Sequence, residues 1–317
     1  MDFQSIIAYL TSNNLDVLLP LSFVAFLIIL PLGSDVWQKI FTVGFLIKGL
    51  TLLLFPQFAA DMVILNKSDA LHLQEIRCVG IIMISEACVH ILLRKSADPT
   101  VRSCLLWTRT VFFAVMAMLV YFTVWTAKDK ENNNLKLKLY ENATAVSLLI
   151  VGGFLYYSLT QKDWGGYAEP VTTHRDFHIR LDFIIWFLHG ILTLIFPNVA
   201  CKFQTTLPDL DTAHQFLARS MGAGFLCLAL MSGRCVNFLR EEEKKSVLIS
   251  HGCASLLFLL TMAFCQLFTK VFSEWHLYYG MSFVALTAMN AFLGCDLPLM
   301  IKSAKIQLRK LVTKTKD

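Results

Sequence analysis

Nine apolar runs, each long enough to cross a bilayer as a helix, constrain this chain more than any other feature. The hydrocarbon core is about 30 Å thick and needs roughly 20 helical residues. The runs cover approximately residues 15–32, 36–56, 76–94, 104–126, 143–160, 181–199, 216–238, 247–270 and 275–296. Hydrophobic residues make up 56% of the chain and charged residues 16%, against about 45–50% and about 25% in soluble proteins. We therefore predict an all-α transmembrane bundle of nine helices and exclude a cytosolic enzyme.

The distribution of basic residues predicts which loops face the cytosol. Fourteen Lys and Arg residues lie in the loops near 95–103, 161–180 and 239–246 and in the C-terminal tail, against seven on the other side. Two N-x-[ST] acceptor sequences, at Asn66 and Asn142, both fall on that second side, where lumenal glycosylation takes place. We expect a lumenal N-terminus, a cytosolic C-terminus and residence in the endoplasmic reticulum, endolysosomal or plasma membrane.

The chain also contains an internal duplication, at an offset of about 141 residues. Residues 49–56 read GLTLLLFP and residues 190–197 read GILTLIFP, and the pattern H-x4-R-x2-G occurs at 72–80 and again at 214–222. Each copy holds four runs, an even number, so both cross in the same sense and form parallel repeats about a pseudo-two-fold axis along the membrane normal. This divides the chain into a lumenal N-terminus and leading helix (1–34), repeat 1 (35–160), repeat 2 (176–296) and a basic cytosolic tail (297–317).

The leading run, 15–32, is also compatible with a cleaved signal sequence. No basic segment precedes it and the next run begins only a few residues later, so we predict a retained helix. The tail carries six basic residues interleaved with apolar ones between positions 302 and 316. Such a segment is typical of a short amphipathic helix that lies on anionic lipid.

Each repeat shares a short set of motifs with a known membrane-protein family. The set consists of a helix that ends in Phe-Pro, a short lumenal stretch, Arg-x-x-Gly that opens the second helix, and a basic cytosolic turn after it. In this chain the motifs are Phe55-Pro56, Arg77 with Gly80, and Arg94-Lys95 in the first copy, and Phe196-Pro197 and Arg219 with Gly222 in the second. The unit resembles the family of tumour protein p53-inducible protein 11, a four-span membrane protein. The resemblance implies a multi-pass membrane protein without established catalytic chemistry and transfers no active site.

Charged residues inside the runs are the first candidates for function. Lys48 and Glu86 lie near the centres of consecutive antiparallel runs, at similar depth. An unpaired charge there costs several kcal/mol, so we expect an ion pair between them. His90 lies one turn beyond Glu86, and in the second copy His189 takes the Lys48 position while Leu228 takes the Glu86 position. We predict that the pairing is structural, with an asymmetric polar site at the midplane, formed by Lys48, Glu86, His90 and His189, as the functional alternative.

Four further residues are secondary candidates. Arg109 and His251 occupy equivalent positions about five residues inside their runs, where a long side chain is expected to reach the interface. Arg77 and Arg219 lie at the lumenal mouths of equivalent helices, where they are expected to contact headgroups or, as the alternative, an anion. The sequence contains no catalytic signature, no Walker loop and no metal-ligand spacing, so we predict no catalytic residue, cofactor or metal ion.

Three classes of function remain open. A scaffold or accessory subunit for other membrane proteins is favoured by the short loops and the loss of Lys48 and Glu86 in the second copy. The alternative is a transporter or channel with a polar midplane site, and the third class is a lipid-modifying membrane enzyme. The expected partners are the bilayer, anionic lipid at the tail, and other membrane proteins or further copies of this chain. The formal charge of +5 is too small to indicate a nucleic-acid partner.

Overall fold

A computed structural model of the chain describes residues 15–127, 133–166, 173–207 and 209–296. The structure is all-helical over these residues. Its helices are α1 (Leu15–Ile29), α2 (Ser34–Leu54), α3 (Pro56–Val63), α4 (Ala70–Leu93), α5 (Pro99–Ala127), α6 (Leu137–Thr160), α7 (His174–Ile195), α8 (Pro197–Lys202), α9 (Thr212–Cys235), α10 (Glu241–Phe268) and α11 (Ser282–Gly294), with a 3-10 turn at Leu30–Leu32 and a π-helical turn at His276–Met281 that leads into α11. The tail predicted to be an amphipathic helix lies outside the described residues.

Eight of the described helices are long and apolar enough to cross a membrane. They are α2, α4, α5, α6, α7, α9, α10 and the continuous segment His276–Gly294. The first predicted run is a shorter apolar helical segment, Pro20–Leu32. The prediction of a helical bundle with several membrane-length helices is therefore confirmed, and each long helix coincides with one of the predicted runs.

Capping residues start three of the long helices ahead of their apolar runs. Asp69 caps α4 and accepts a hydrogen bond from the backbone N–H of His72, and Asp211 caps α9 in the same way through His214. Thr173 caps α7. A capped helix begins where its backbone N–H groups find acceptors, not where apolar residues begin. The helices therefore extend several residues beyond the runs and carry polar residues further into the bundle.

Proline ends α2 and α7. Pro56 and Pro197 are the first residues of the short helices α3 and α8, and each follows a Phe whose backbone has left the helical conformation. Proline disfavours helical backbone in the residue before it and lacks the N–H that a continuing helix would need. The structure therefore breaks both helices at their Phe-Pro sequences.

Helices α4 and α9 lie at the centre of the bundle, and they are the most buried of the eight long helices. They contact each other, α2 packs on α4, and α7 packs on α9. The third long helix of each half crosses over, because α5 packs on α9 and α10 packs on α4. Helix α6 packs on α5, α11 packs on α10 and α7, and α1 lies outside against α6.

Glycines allow the closest helix contacts. A Cβ placed on Gly80 would lie 2.7 Å from the carbonyl oxygen of Gly49, and a Cβ placed on Gly222 would lie 2.9 Å from that of Gly190. The α2–α4 and α7–α9 pairs therefore approach backbone to backbone at these points. Small residues serve this purpose in helix packing within membranes.

The loops gather at two opposite ends of the bundle. At one end the segment before α4 pairs with the segment before α6, because Leu65 donates to the carbonyl of Asn134 at 2.9 Å. We call this the sequon end because it carries Asn66. At the other end Asp98 accepts a hydrogen bond from the backbone of Leu239 at 2.9 Å. We call this the basic end, and it contains the described parts of the loops 95–103, 161–180 and 239–246.

Candidate functional site

A cavity of about 830 Å³ opens at the basic end of the first half of the chain. We call it the vestibule. Helices α2, α4, α5 and α6 form its walls. Its polar wall residues include Gln38 and Thr42 of α2, Thr160 of α6 and His90 of α4. The volume falls in the range of about 300–1,000 Å³ that is typical of small-molecule sites.

The rim of the vestibule is positively charged. Five basic side chains and two acidic ones line it, namely Lys39, Arg94, Lys95, Arg102 and Lys162 with Asp35 and Asp163. A cleft that is lined predominantly by one sign of charge and has low-dielectric walls raises the local concentration of ions of the opposite sign. The electrostatics of this entrance therefore favour anions.

Arg109 is fully buried beside the vestibule. Its guanidinium donates to the carbonyl oxygen of Gln38 at 3.2 Å and to the hydroxyl of Thr42 at 3.0 Å, and it lies 5.3 Å from the ring centroid of Phe45. The expectation that Arg109 reaches the interface is wrong. Helix α5 begins at Pro99, ahead of the predicted run, and the Arg109 side chain points inward to Gln38 and Thr42 of α2.

Glu86 is buried against the second half of the chain. One of its carboxylate oxygens accepts a hydrogen bond from the thiol of Cys227 at 3.3 Å, and the other lies 4.0 Å from Nε2 of His90. Arg109 and His251 also act electrostatically on this carboxylate. We call Glu86, His90, Arg109, Cys227 and His251 the inner cluster.

The predicted ion pair between Lys48 and Glu86 is absent from the described residues. Lys48 lies on the outer surface of α2, where its side chain is exposed, whereas the Glu86 side chain is 2% exposed and faces α9. Lys48 lies six residues from the sequon end of α2, whereas Glu86 lies sixteen residues from the sequon end of α4, and the two side chains face different sides of their helices. Helix rotation is set by tertiary packing and cannot be read from sequence position.

His251 is oriented by a buried carboxylate in the second half. Its Nδ1 lies 2.7 Å from Asp182, and the same carboxylate accepts hydrogen bonds from the hydroxyl of Ser232 and, at 3.1 Å, from the indole of Trp186. Asp182, Ser232 and His251 are completely buried. A carboxylate on one nitrogen fixes the orientation of an imidazole and directs the other nitrogen. The expectation that His251 reaches the interface is therefore also wrong.

Several atoms of the inner cluster have no hydrogen-bond partner among the described residues. They are Oε2 of Glu86, Nε2 of His90, Nε of Arg109 and Nε2 of His251. Buried polar atoms are normally satisfied by protein, water or ligand. The set combines acceptors and donors around one carboxylate, so it can hold water, an ion or a proton in transit.

Sequence reasoning missed Asp182, Ser232 and Cys227. Asp182 lies at the start of the predicted run 181–199, so it was interpreted as a residue at the end of a helix. The signal that identifies it is the sequence Thr173-x-x-Asp176, a capping box that starts α7 at residue 174. Asp182 then lies more than two turns inside the helix, where a carboxylate requires partners.

The remaining candidates lie away from the vestibule. His189 is half-buried between the rings of Phe225 and Phe283, so it does not join Glu86 and His90. Arg77 donates to the sulfur of Cys265 at 3.8 Å and stacks on an aromatic ring. Arg219 lies over the ring of Phe122. The structure thus brings Glu86, His90, Arg109 and His251 together and leaves the other four apart.

A separate polar group joins the two halves at the sequon end. The rings of His72 and His214 stack with centroids 3.5 Å apart. Nε2 of His72 lies 3.2 Å from Asp211, and Nε2 of His214 lies 3.1 Å from Asp69, so each ring contacts the cap of the other helix. Burial alone would raise the pKa of each carboxyl, but the hydrogen bonds from the two histidines outweigh it and lower both pKa values below their ordinary range.

The residue types in this group are those of a metal site, but the geometry favours a hydrogen-bonded connection between two helices. Ligand atoms of Asp69, His72 and His214 lie within 4.8 Å of one another. An imidazole binds a metal along the lone pair in its ring plane, and two stacked rings, inclined by 22°, do not direct their lone pairs to one point. Each histidine Nδ1 also accepts a backbone N–H from its own helix cap. The group therefore acts as a hydrogen-bonded connection between α4 and α9.

Comparison with known proteins identifies a family whose function is not described. Residues 39–296 match the family described as "Domain of unknown function (DUF8292)". No curated protein matches the chain. No solved structure matches it either.

Proposed function

The chain therefore belongs to the DUF8292 family, and from the geometry of its site we propose that it is a multi-pass membrane carrier for a small anionic solute. The observation that carries this proposal is the vestibule, which leads from a basic rim to His90 and the inner cluster. The transporter alternative of the sequence analysis is thus preferred to the scaffold, with the polar site moved from Lys48 to Arg109.

The inner cluster gives the proposed path an inner binding point. Arg109 supplies a buried positive charge, and Glu86 beside it supplies a carboxylate with one oxygen left unpartnered. Intramembrane ionisable residues next to a polar cavity mark solute and proton pathways. We propose that the solute enters from the basic end and that Arg109 attracts it, while Glu86 and His90 adjust the charge of the site.

We also propose that the chain is a tandem duplication with two parallel repeats. The helix order α2 to α6 recurs as α7 to α11, including the short helices that begin at Pro56 and Pro197. Both second helices carry an Asp cap with His at the third position, and both use a glycine at the closest contact. Only the first half carries Glu86 and the vestibule, so one copy retains the polar site in this proposal.

The proposed topology places the basic end in the cytosol and the sequon end in the lumen of the secretory pathway. The excess of Lys and Arg supports the first assignment, and Asn66, which is exposed, supports the second. Asn142 lies in the second turn of α6, where a glycosyltransferase has poorer access. The solute then enters from the cytosol.

The test is uptake of labelled inorganic phosphate and labelled chloride into phosphatidylcholine vesicles that contain the purified full chain. Wild type is expected to accumulate at least one of the two anions above empty vesicles. His90→Gln is expected to abolish uptake, because this residue joins the vestibule to Glu86. Arg102→Gln, an exposed rim variant, is expected to lower uptake at low salt and to have little effect at high salt, where the Debye length is short.

Lys67→Gln is the matched control, because Lys67 is exposed at the sequon end and lies far from the vestibule. It is expected to leave uptake unchanged. A monodisperse wild type that carries neither anion would refute the carrier proposal and would leave the scaffold or accessory subunit as the preferred function, with the lipid-modifying enzyme as the next alternative. Equal loss in Arg102→Gln and Lys67→Gln would refute the role of the rim.

A further inference from the structure

A second cavity, of about 520 Å³, lies on the side of the bundle and is almost entirely apolar. Helices α2, α3, α4, α5, α6 and α9 form it, and its walls include Phe41, Phe45, Phe113 and Met116. Ile40 and Gly44 on its edge are exposed, so the cavity opens to the surroundings of the bundle along α2. Its residues differ from those of the vestibule.

Among the residues that the structure describes, Lys48 is the only charged side chain that lines this cavity. Its ammonium group makes no hydrogen bond or ion pair with the residues that the structure describes, and Glu86 faces the other way. Lys48 lies six residues before the end of α2, which corresponds to about 9 Å of helix from the sequon end. An anion from outside the chain would offset the cost of desolvating this cation.

The shape and the charge together define the ligand. The aromatic and methionine side chains favour an unbranched hydrocarbon chain, and the single ammonium favours one negative charge at the end of that chain. A phospholipid carries two acyl chains and a bulkier headgroup, whereas this cavity has a volume of about 520 Å³ and one ammonium group among its described lining residues. We propose that this cavity binds a long-chain fatty acid, with its carboxylate on Lys48 and its alkyl chain along the aromatic wall.

This site is independent of the carrier proposal, since none of its lining residues belongs to the inner cluster. The test uses the purified full chain in detergent, tritiated palmitate as the probe, and hexadecanol, which has the same chain length without the charge, as competitor. Wild type is expected to bind palmitate more tightly than hexadecanol. Lys48→Met is expected to weaken palmitate binding by about tenfold or more, because a charge-assisted contact is lost, and to leave hexadecanol binding unchanged.

Lys48→Arg is expected to retain palmitate binding, because it retains the charge. Lys67→Met, at an exposed lysine that lines neither cavity, is expected to bind like wild type. Ala143→Phe fills the cavity and is expected to remove both ligands while the protein remains monodisperse. Unchanged palmitate affinity in Lys48→Met, or equal loss of palmitate and hexadecanol in that variant, would overturn the proposal.

Discussion

Replacing Gly222 by alanine is expected to destabilise the protein through one added methyl group. The new Cβ would lie 2.5 Å from the backbone nitrogen of Leu194 and 2.9 Å from both the Leu194 Cα and the carbonyl oxygen of Gly190. All three are backbone atoms of α7, so no side chain can turn aside. The two helices would have to separate by about 1 Å to restore ordinary contact, and the rest of a close-packed interface would lose contacts.

The expected cost is about 1–3 kcal/mol, the usual range for overpacking a well-packed core. Gly152→Ala is the matched control, because a Cβ on this helical glycine meets no atom within 4 Å. Thermal unfolding in mild detergent, followed by tryptophan fluorescence and size-exclusion chromatography, measures both variants. Gly222→Ala is expected to unfold several degrees below wild type, while Gly152→Ala unfolds at the wild-type temperature or slightly above it.

The equivalent glycine of the first half extends the experiment. A Cβ on Gly80 would lie 2.7 Å from the Gly49 carbonyl oxygen and 3.0 Å from the backbone nitrogen of Leu53. Gly80→Ala is expected to cost about as much as Gly222→Ala, since both meet backbone. If Gly80→Ala and Gly222→Ala unfold at the same temperature as Gly152→Ala, the backbone-to-backbone contacts of α2–α4 and α7–α9 are refuted.

Three further predictions follow from the polar groups. Asp182→Ala leaves His251 without its buried partner and is expected to lower the free energy of unfolding by about 3–5 kcal/mol. The same thermal assay measures this change. A decrease of less than about 1 kcal/mol would contradict the buried pairing. The folded pKa values of Asp69 and Asp211 are lowered, so both residues stabilise the fold above their ordinary pKa of 3.8, and this stability is lost as pH falls through the folded values. On acidification the melting temperature of wild type is expected to fall more steeply than that of Asp69→Asn. Equal slopes would contradict the prediction. Asn66→Gln is expected to remove a glycosidase-sensitive band shift in a eukaryotic host, and a wild-type chain without the shift would contradict a lumenal sequon end.

The sequence predicted the helical segments well because their determinants are local. A segment in lipid must satisfy its backbone internally and cover about 30 Å with apolar side chains, so length and composition identify it. The ends at Pro56 and Pro197 are local in the same way. The starts of α4 and α7 were placed too late, because the polar caps at Asp69 and Thr173 fall outside the apolar runs.

The candidate site was predicted only in part. Glu86, His90, Arg109 and His251 were identified as unusual polar residues, and the structure brings these four together. Lys48 was assigned to the wrong partner, and Asp182 was not recognised. A buried charge is visible in sequence, but its partner is chosen by helix rotation and by contacts more than a hundred residues apart, such as that of Glu86 with Cys227.

Composition and segment length are enough to predict a helical bundle with several membrane-length helices and charges in its interior. The packing of α5 on α9 and of α10 on α4 becomes visible only in the fold. That exchange brings Arg109 and His251 to the same carboxylate and leaves Lys48 on an apolar outer cavity. The physical reason is that hydrophobic periodicity specifies which residues avoid water but not which helix they meet, and glycine contacts and buried hydrogen bonds make that selection.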